Sequence, residues 1–138
     1  MLQPMLAAFS PLLHPTDRLR WQCLLLLGTL VTAMLYLGTR PGISIIFPFL
    51  PWDKLLHAMA YGAFAALGWV AMAGRSLWGP VMLAGAIGMM DEGAQYYTPG
   101  RTADFRDIIA DLIGAICVVL VLRSLQRMEL RLRATAPR

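Results

Sequence analysis

Long apolar runs alternate with short polar breaks along this chain. Four runs approach the roughly 20 residues that a membrane-spanning helix needs: Trp21 to Leu37, Leu55 to Ala73, Leu77 to Met90 and Ile108 to Leu122. Gly38, Arg40 and Pro41 stop the first run, and Gly74 and Arg75 the second. The third must borrow the polar turn through Tyr96 or Tyr97 to reach the far interface. The fourth is short for the same reason, because charged residues occupy the end the two share. The pattern predicts an all-α integral membrane protein, a four-transmembrane-helix bundle with short connections. It divides the chain into an N-terminal interfacial or disordered lead (1–18), a membrane domain (19–125) and a basic cytoplasmic tail (126–138).

Small residues support one bundle. Ala58, Gly62 and Ala66 recur at four-residue spacing in the second run, Ala84 and Gly88 in the third, and Ala110 and Gly114 in the fourth. In lipid no hydrophobic force draws helices together, so close backbone approach over small residues is the expected packing device. Pro80 falls in the first turn of the third run, where its missing N–H costs nothing. The lead carries Pro4, Pro11 and Pro15 without a basic n-region, which argues against a cleaved signal peptide.

The composition agrees, with 58% of the 138 residues hydrophobic and only 14% charged. The formal charge of +4 looks like a nucleic-acid signal until the basic residues are placed. They gather at the chain ends and beside apolar segments, which excludes nucleic acid as a partner. Arg18, Arg20, Arg75, Arg123, Arg127, Arg131, Arg133 and Arg138 fall on one side of a four-span arrangement, against Arg40, Lys54, Arg101 and Arg106 on the other. The positive-inside rule then puts both termini in the cytoplasm and the Thr39 to Trp52 and Thr98 to Arg106 connections outside. Cys23 and Cys117 lie within apolar runs and give no disulfide or redox signature.

The outer connections and adjoining helix ends hold nearly all the remaining chemistry. Asp53, His57 and Tyr61, at i, i+4 and i+8, form one stripe on the second helix, with Lys54 beside it. Glu92 and Gln95 share a face at the end of the third. Asp107 and Asp111 share a face of the fourth, preceded by Asp104. Pro99 and Gly100 make a turn that sets Arg101 over the bundle mouth, and an Arg fork suits a carboxylate or phosphate. Ionisable groups beside hydrocarbon are costly, so such a cluster is a functional-site hypothesis by default. The competing reading is a structural lock in which the charges neutralise one another.

These motifs, Asp53-Lys54-x-x-His57-x-x-x-Tyr61, Glu92-x-x-Gln95, Pro99-Gly100-Arg101 and Asp107 followed by a helix containing Gly114, resemble the VanZ-like membrane proteins over about residues 52–119. The resemblance implies a small multi-pass envelope protein, with a link to glycopeptide susceptibility and hence antibiotic resistance in some members. The chain departs from the family pattern at Asp111, commonly Asn, which suggests protonation of that carboxyl or its pairing with Arg101 or His57.

The expected partner is an amphipathic envelope lipid or lipid-linked cell-wall precursor, bound or modified from the outer leaflet. His57, Glu92 and Asp107 are the candidate catalytic groups, with His57 and Glu92 the best acid/base pair. Asp53, Lys54, Tyr61, Gln95, Arg101, Asp104 and Asp111 are the candidate substrate-binding groups. No cofactor and no metal is expected. A divalent cation against Asp104, Asp107 and Asp111 is the secondary candidate. The alternative is a non-enzymatic accessory or scaffold protein, and four spans are compatible with an oligomer.

Overall fold

The computed structural model describes residues 9–40 and 50–135. The start of the lead, most of the Thr39 to Trp52 connection and the last three residues of the tail lie outside the described residues. Four long helices stand out among the described residues: α1 (Asp17–Gly38), α2 (Leu50–Ala71), α3 (Trp78–Tyr96) and α4 (Phe105–Thr135). No strand occurs among the described residues, in agreement with the all-α expectation. Residues 9–13 are also helical, and Leu13 is buried. Thr16 caps α1 by accepting the Leu19 N–H at 3.3 Å.

The helices run up and down. A side chain added at Gly38, the end of α1, would meet Asp91 near the end of α3, and one at Gly68 in the last turns of α2 would meet Pro80 at the start of α3. The α2–α3 connection is a Schellman turn: Gly74 N–H donates to the Trp69 carbonyl and Ala73 N–H to the Val70 carbonyl, each at 3.0 Å. This puts Ala73 at φ 56° and Gly74 at φ 62°. Glycine carries the second of these positive angles without strain, whereas Ala73 carries the first at a cost.

The predicted small-residue contacts form where α2 crosses α4. A Cβ on Gly114 would collide with the backbone carbonyl of Ala58, and one on Gly62 would come within 3.3 Å of the Gly114 carbonyl oxygen. Only glycine permits backbones this close, so this crossing sets how near the polar stripes of α2 and α4 stand. Gly88 does the same for α3, since its absent side chain makes room for Asp111 Oδ2.

The distribution of polarity is the reverse of a soluble bundle. Asp91, Glu92, Gln95, Asp107 and Asp111 are buried, while Trp21, Leu25, Met82, Met89, Ile113 and Val121 are exposed. A continuous apolar exterior around charged interior groups suits lipid rather than water. An apolar core built on Tyr61, Trp69, Ala84, Ala115 and Val119 fills the centre.

Two helices, α1 and the stretch Phe105–Ala134 of α4, are long and apolar enough by length and composition to cross a membrane. Helices α2 and α3 fall short of that standard. Lys54, His57 and Tyr61 interrupt the one, and Asp91, Glu92 and Gln95 the last turns of the other. The residues that lower their apolar character are those that build the site.

Candidate functional site

The site is a polar mouth where the start of α2, the end of α3 and the start of α4 converge, with Gly38 of α1 touching its edge. Asp104 stands just before α4 and caps it, its Oδ1 accepting the Arg106 N–H at 2.9 Å. Glu92 Oε2 accepts the Asp104 N–H at 2.7 Å, which ties the Thr98 to Asp104 loop to α3. The Arg106 N–H, followed by the Lys54 ammonium, holds the Asp104 carboxyl below the usual carboxylate range.

Lys54 is the centre of an ion-pair knot. Its Nζ lies 3.2 Å from Asp53 and 3.0 Å from Asp104, and it also contacts Asp107. One ammonium therefore joins three carboxylates from α2, the loop and α4.

One turn deeper, His57 Nδ1 is 2.9 Å from Asp111 Oδ1, while Nε2 looks toward Asp107 at 3.8 Å. This contact occupies the Nδ1 edge of the ring and leaves Nε2 facing the knot. Tyr61 stacks parallel to the His57 ring with centroids 5.9 Å apart. Asp111, only 1% exposed, thus pairs with His57 and not with Arg101.

His57 and Glu92, the expected acid/base pair, are not bonded to each other. Glu92 is engaged with the Asp104 backbone, and the hydrogen-bonded carboxylate on His57 is Asp111. Gln95 donates to Asp91 Oδ2 at 2.9 Å, and both are buried. Asp91, adjacent to Glu92 and four residues before Gln95 in the acidic cluster but not among the named site residues, thus joins the mouth.

The turn at the rim forms as expected. Gly100 adopts φ 79°, and the Arg101 N–H donates to the Thr98 carbonyl at 3.1 Å. The Arg101 side chain has no ion pair or hydrogen bond among the described residues, and its Nε is buried without a partner. Glu92 Oε1 and Asp111 Oδ2 share that condition, while the Tyr61 hydroxyl and the Asp91 carboxyl, each short of a close hydrogen bond at Tyr61 Oη and Asp91 Oδ1, face one another. Buried polar groups in folded proteins are nearly always paired, so three orphans in one place, on Glu92, Arg101 and Asp111, mark a region organised around something besides itself.

Asp53, His57 and Asp107 each offer a metal-competent atom, and these atoms lie within 4.8 Å of one another. All ten residues singled out from the sequence therefore belong to this end of the bundle. Asp53, Lys54, Asp104 and Asp107 form the outer knot, and His57, Tyr61 and Asp111 the inner one. Glu92 and Gln95 brace α3, and Arg101 stands at the rim.

No curated protein and no solved structure matches the chain. The family model for VanZ/LLP1 matches residues 11–126, nearly the whole described bundle and every residue of the mouth. With that match added to its two long apolar helices, the chain belongs to the VanZ/LLP1 family and has the character of a membrane protein.

Proposed function

We propose that the mouth receives the anionic headgroup of a membrane lipid or lipid-linked cell-wall precursor, with all four helices spanning the bacterial inner membrane and the mouth facing outward. Both termini then lie in the cytoplasm, in keeping with the Arg-rich opposite end. The single observation that carries this reading is Arg101. Lys54, the other cation of the mouth, is already shared by three carboxylates, while Arg101 makes no ion pair or hydrogen bond among the described residues and feels only the more distant charge of Asp91. A guanidinium held at a fixed turn with a buried, unpaired Nε is a ready receptor for a phosphate or carboxylate. The acyl chains of the same molecule would lie against the apolar exterior. His57, oriented by Asp111, is the group that would exchange a proton with a bound headgroup. A change in glycopeptide susceptibility would follow where the bound molecule is a cell-wall precursor.

Native mass spectrometry of the gently purified full-length chain tests the proposal. The expected result is selective retention of a phosphate-bearing anionic species over zwitterionic lipid. Unselective retention would count against it. A second reading, a structural lock without ligand, draws on the three-carboxylate knot around Lys54. It requires that Lys54→Met unfold the protein, whereas the headgroup reading requires the folded variant to remain.

A further inference from the structure

We propose that Asp53, His57 and Asp107 form a divalent-cation site, in which the Lys54 ammonium is a resident counter-ion that an arriving metal displaces. The three groups come from two helices, and the Gly114–Ala58 crossing holds those helices together before any metal arrives. Their ligand atoms already lie within 4.8 Å of one another, a spacing that a modest contraction converts to coordination.

The histidine is arranged as a metal-bound imidazole is. Its Nδ1 faces the buried Asp111 carboxyl at 2.9 Å, which fixes the ring and leaves Nε2 toward Asp107. A carboxylate behind the histidine is the common outer-shell partner of a metal ligand, and it raises the basicity of the coordinating nitrogen.

Two further observations point to a missing cation. Asp53, Asp104 and Asp107 share one ammonium, so the knot carries more negative than positive charge. Glu92 is 6% exposed, its Oε2 is fixed on the Asp104 N–H, and its Oε1 has no partner. A metal-bound water in the knot would satisfy that oxygen.

One imidazole and two carboxylates suit Mn²⁺ or Zn²⁺ better than Ca²⁺, whose usual sites are all oxygen. Three protein ligands leave positions open for water or an anionic oxygen. Resting on the headgroup reading, the bound anion is then a phosphate, held by the metal on one side and by Arg101 and the released Lys54 on the other.

The test is a Mn²⁺ titration of the full-length chain in lipid nanodiscs, followed by loss of the free Mn²⁺ paramagnetic resonance signal. One saturable site is expected. Lys54→Met should tighten it at least about tenfold, a gain that misfolding cannot produce, and Asp107→Asn should weaken it by about as much. Asp111→Asn should weaken it about 10- to 100-fold, as loss of an outer-shell carboxylate does. Absence of saturable Mn²⁺ binding in both the wild type and Lys54→Met overturns the site, as does unchanged affinity in Asp107→Asn. Lipid retention in EDTA, measured in parallel, separates the two claims: retention without any Mn²⁺ site removes only the metal. Mn²⁺ binding without selective lipid removes only the headgroup.

Discussion

The two ends of the bundle use charge in opposite ways. At the end that holds the start of α1 and the tail of α4, charged groups close on one another, and among the described residues only the Trp69 indole Nε1 is left there buried without a partner. Arg20 Nε donates to the Ala71 carbonyl at 3.0 Å and thereby satisfies the end of α2, while its Nη1 reaches Asp17 at 2.7 Å. Buried Glu129 takes His14 at 3.0 Å on one oxygen and Arg133 at 2.6 Å on the other. At the mouth, by contrast, Glu92, Arg101 and Asp111 keep buried atoms without partners. A region that only had to be stable would resemble the first end, since an unpaired buried polar group costs about 1–3 kcal/mol. The mouth bears that cost repeatedly within a small space, and we read it as preorganisation for a ligand.

The largest expected effect concerns the crossing on which the mouth depends. Gly114→Val puts a branched side chain into the Ala58 carbonyl, and thermal unfolding should show a loss of about 3 kcal/mol or more, with the mouth dispersed. A stable, binding-competent Gly114→Val variant would break the link between that crossing and the site.

Next in size is Glu129→Ala at the closed end. Removing the shared partner of His14 and Arg133 should cost about 1–3 kcal/mol of stability and leave lipid retention as it was. Lost retention with unchanged stability would invert the contrast between the two ends.

A smaller gain is expected at the α2–α3 turn. Ala73→Gly relieves a left-handed backbone angle and should raise stability by about 1 kcal/mol, read as a higher Tm in detergent.

The smallest effect is the pH dependence of Asp104. Its folded carboxyl titrates below the ordinary range, so its stabilisation is full above the ordinary carboxylate pKa and is lost as pH falls through the lowered folded value. Asp104→Asn should therefore flatten the acid side of the stability profile slightly and leave the neutral side nearly flat.

Much of this was legible from residue order. Helix positions followed from the lengths of the apolar runs, and the close crossing from Ala58, Gly62 and Gly114, because both depend on local spacing. The stripe Asp53, His57, Tyr61 and the turn at Gly100 were readable for the same reason. Partner choice was less so, because it depends on how far each helix slides and turns against its neighbours. Whether His57 meets Glu92 or Asp111 is decided by the room Gly88 leaves beside Asp111, which periodicity does not encode. The knot around Lys54 was hidden likewise, since its members come from positions about 50 residues apart. Asp91 was not named among the site residues because a carboxylate bonded to Gln95 looks like any other acidic residue at a helix end until its burial is known.

The central claim is that the mouth's unpaired groups are held for a ligand, and Arg101 tests it most directly. Lipid retention and thermal unfolding should be measured together on the wild type, Arg101→Lys and Arg101→Ala. The account predicts that Arg101→Ala loses selective anionic retention at least about tenfold while its Tm stays at the wild-type value, with Arg101→Lys between the two. Retention equal to the wild type in Arg101→Ala, or a Tm that collapses with it, would contradict the account.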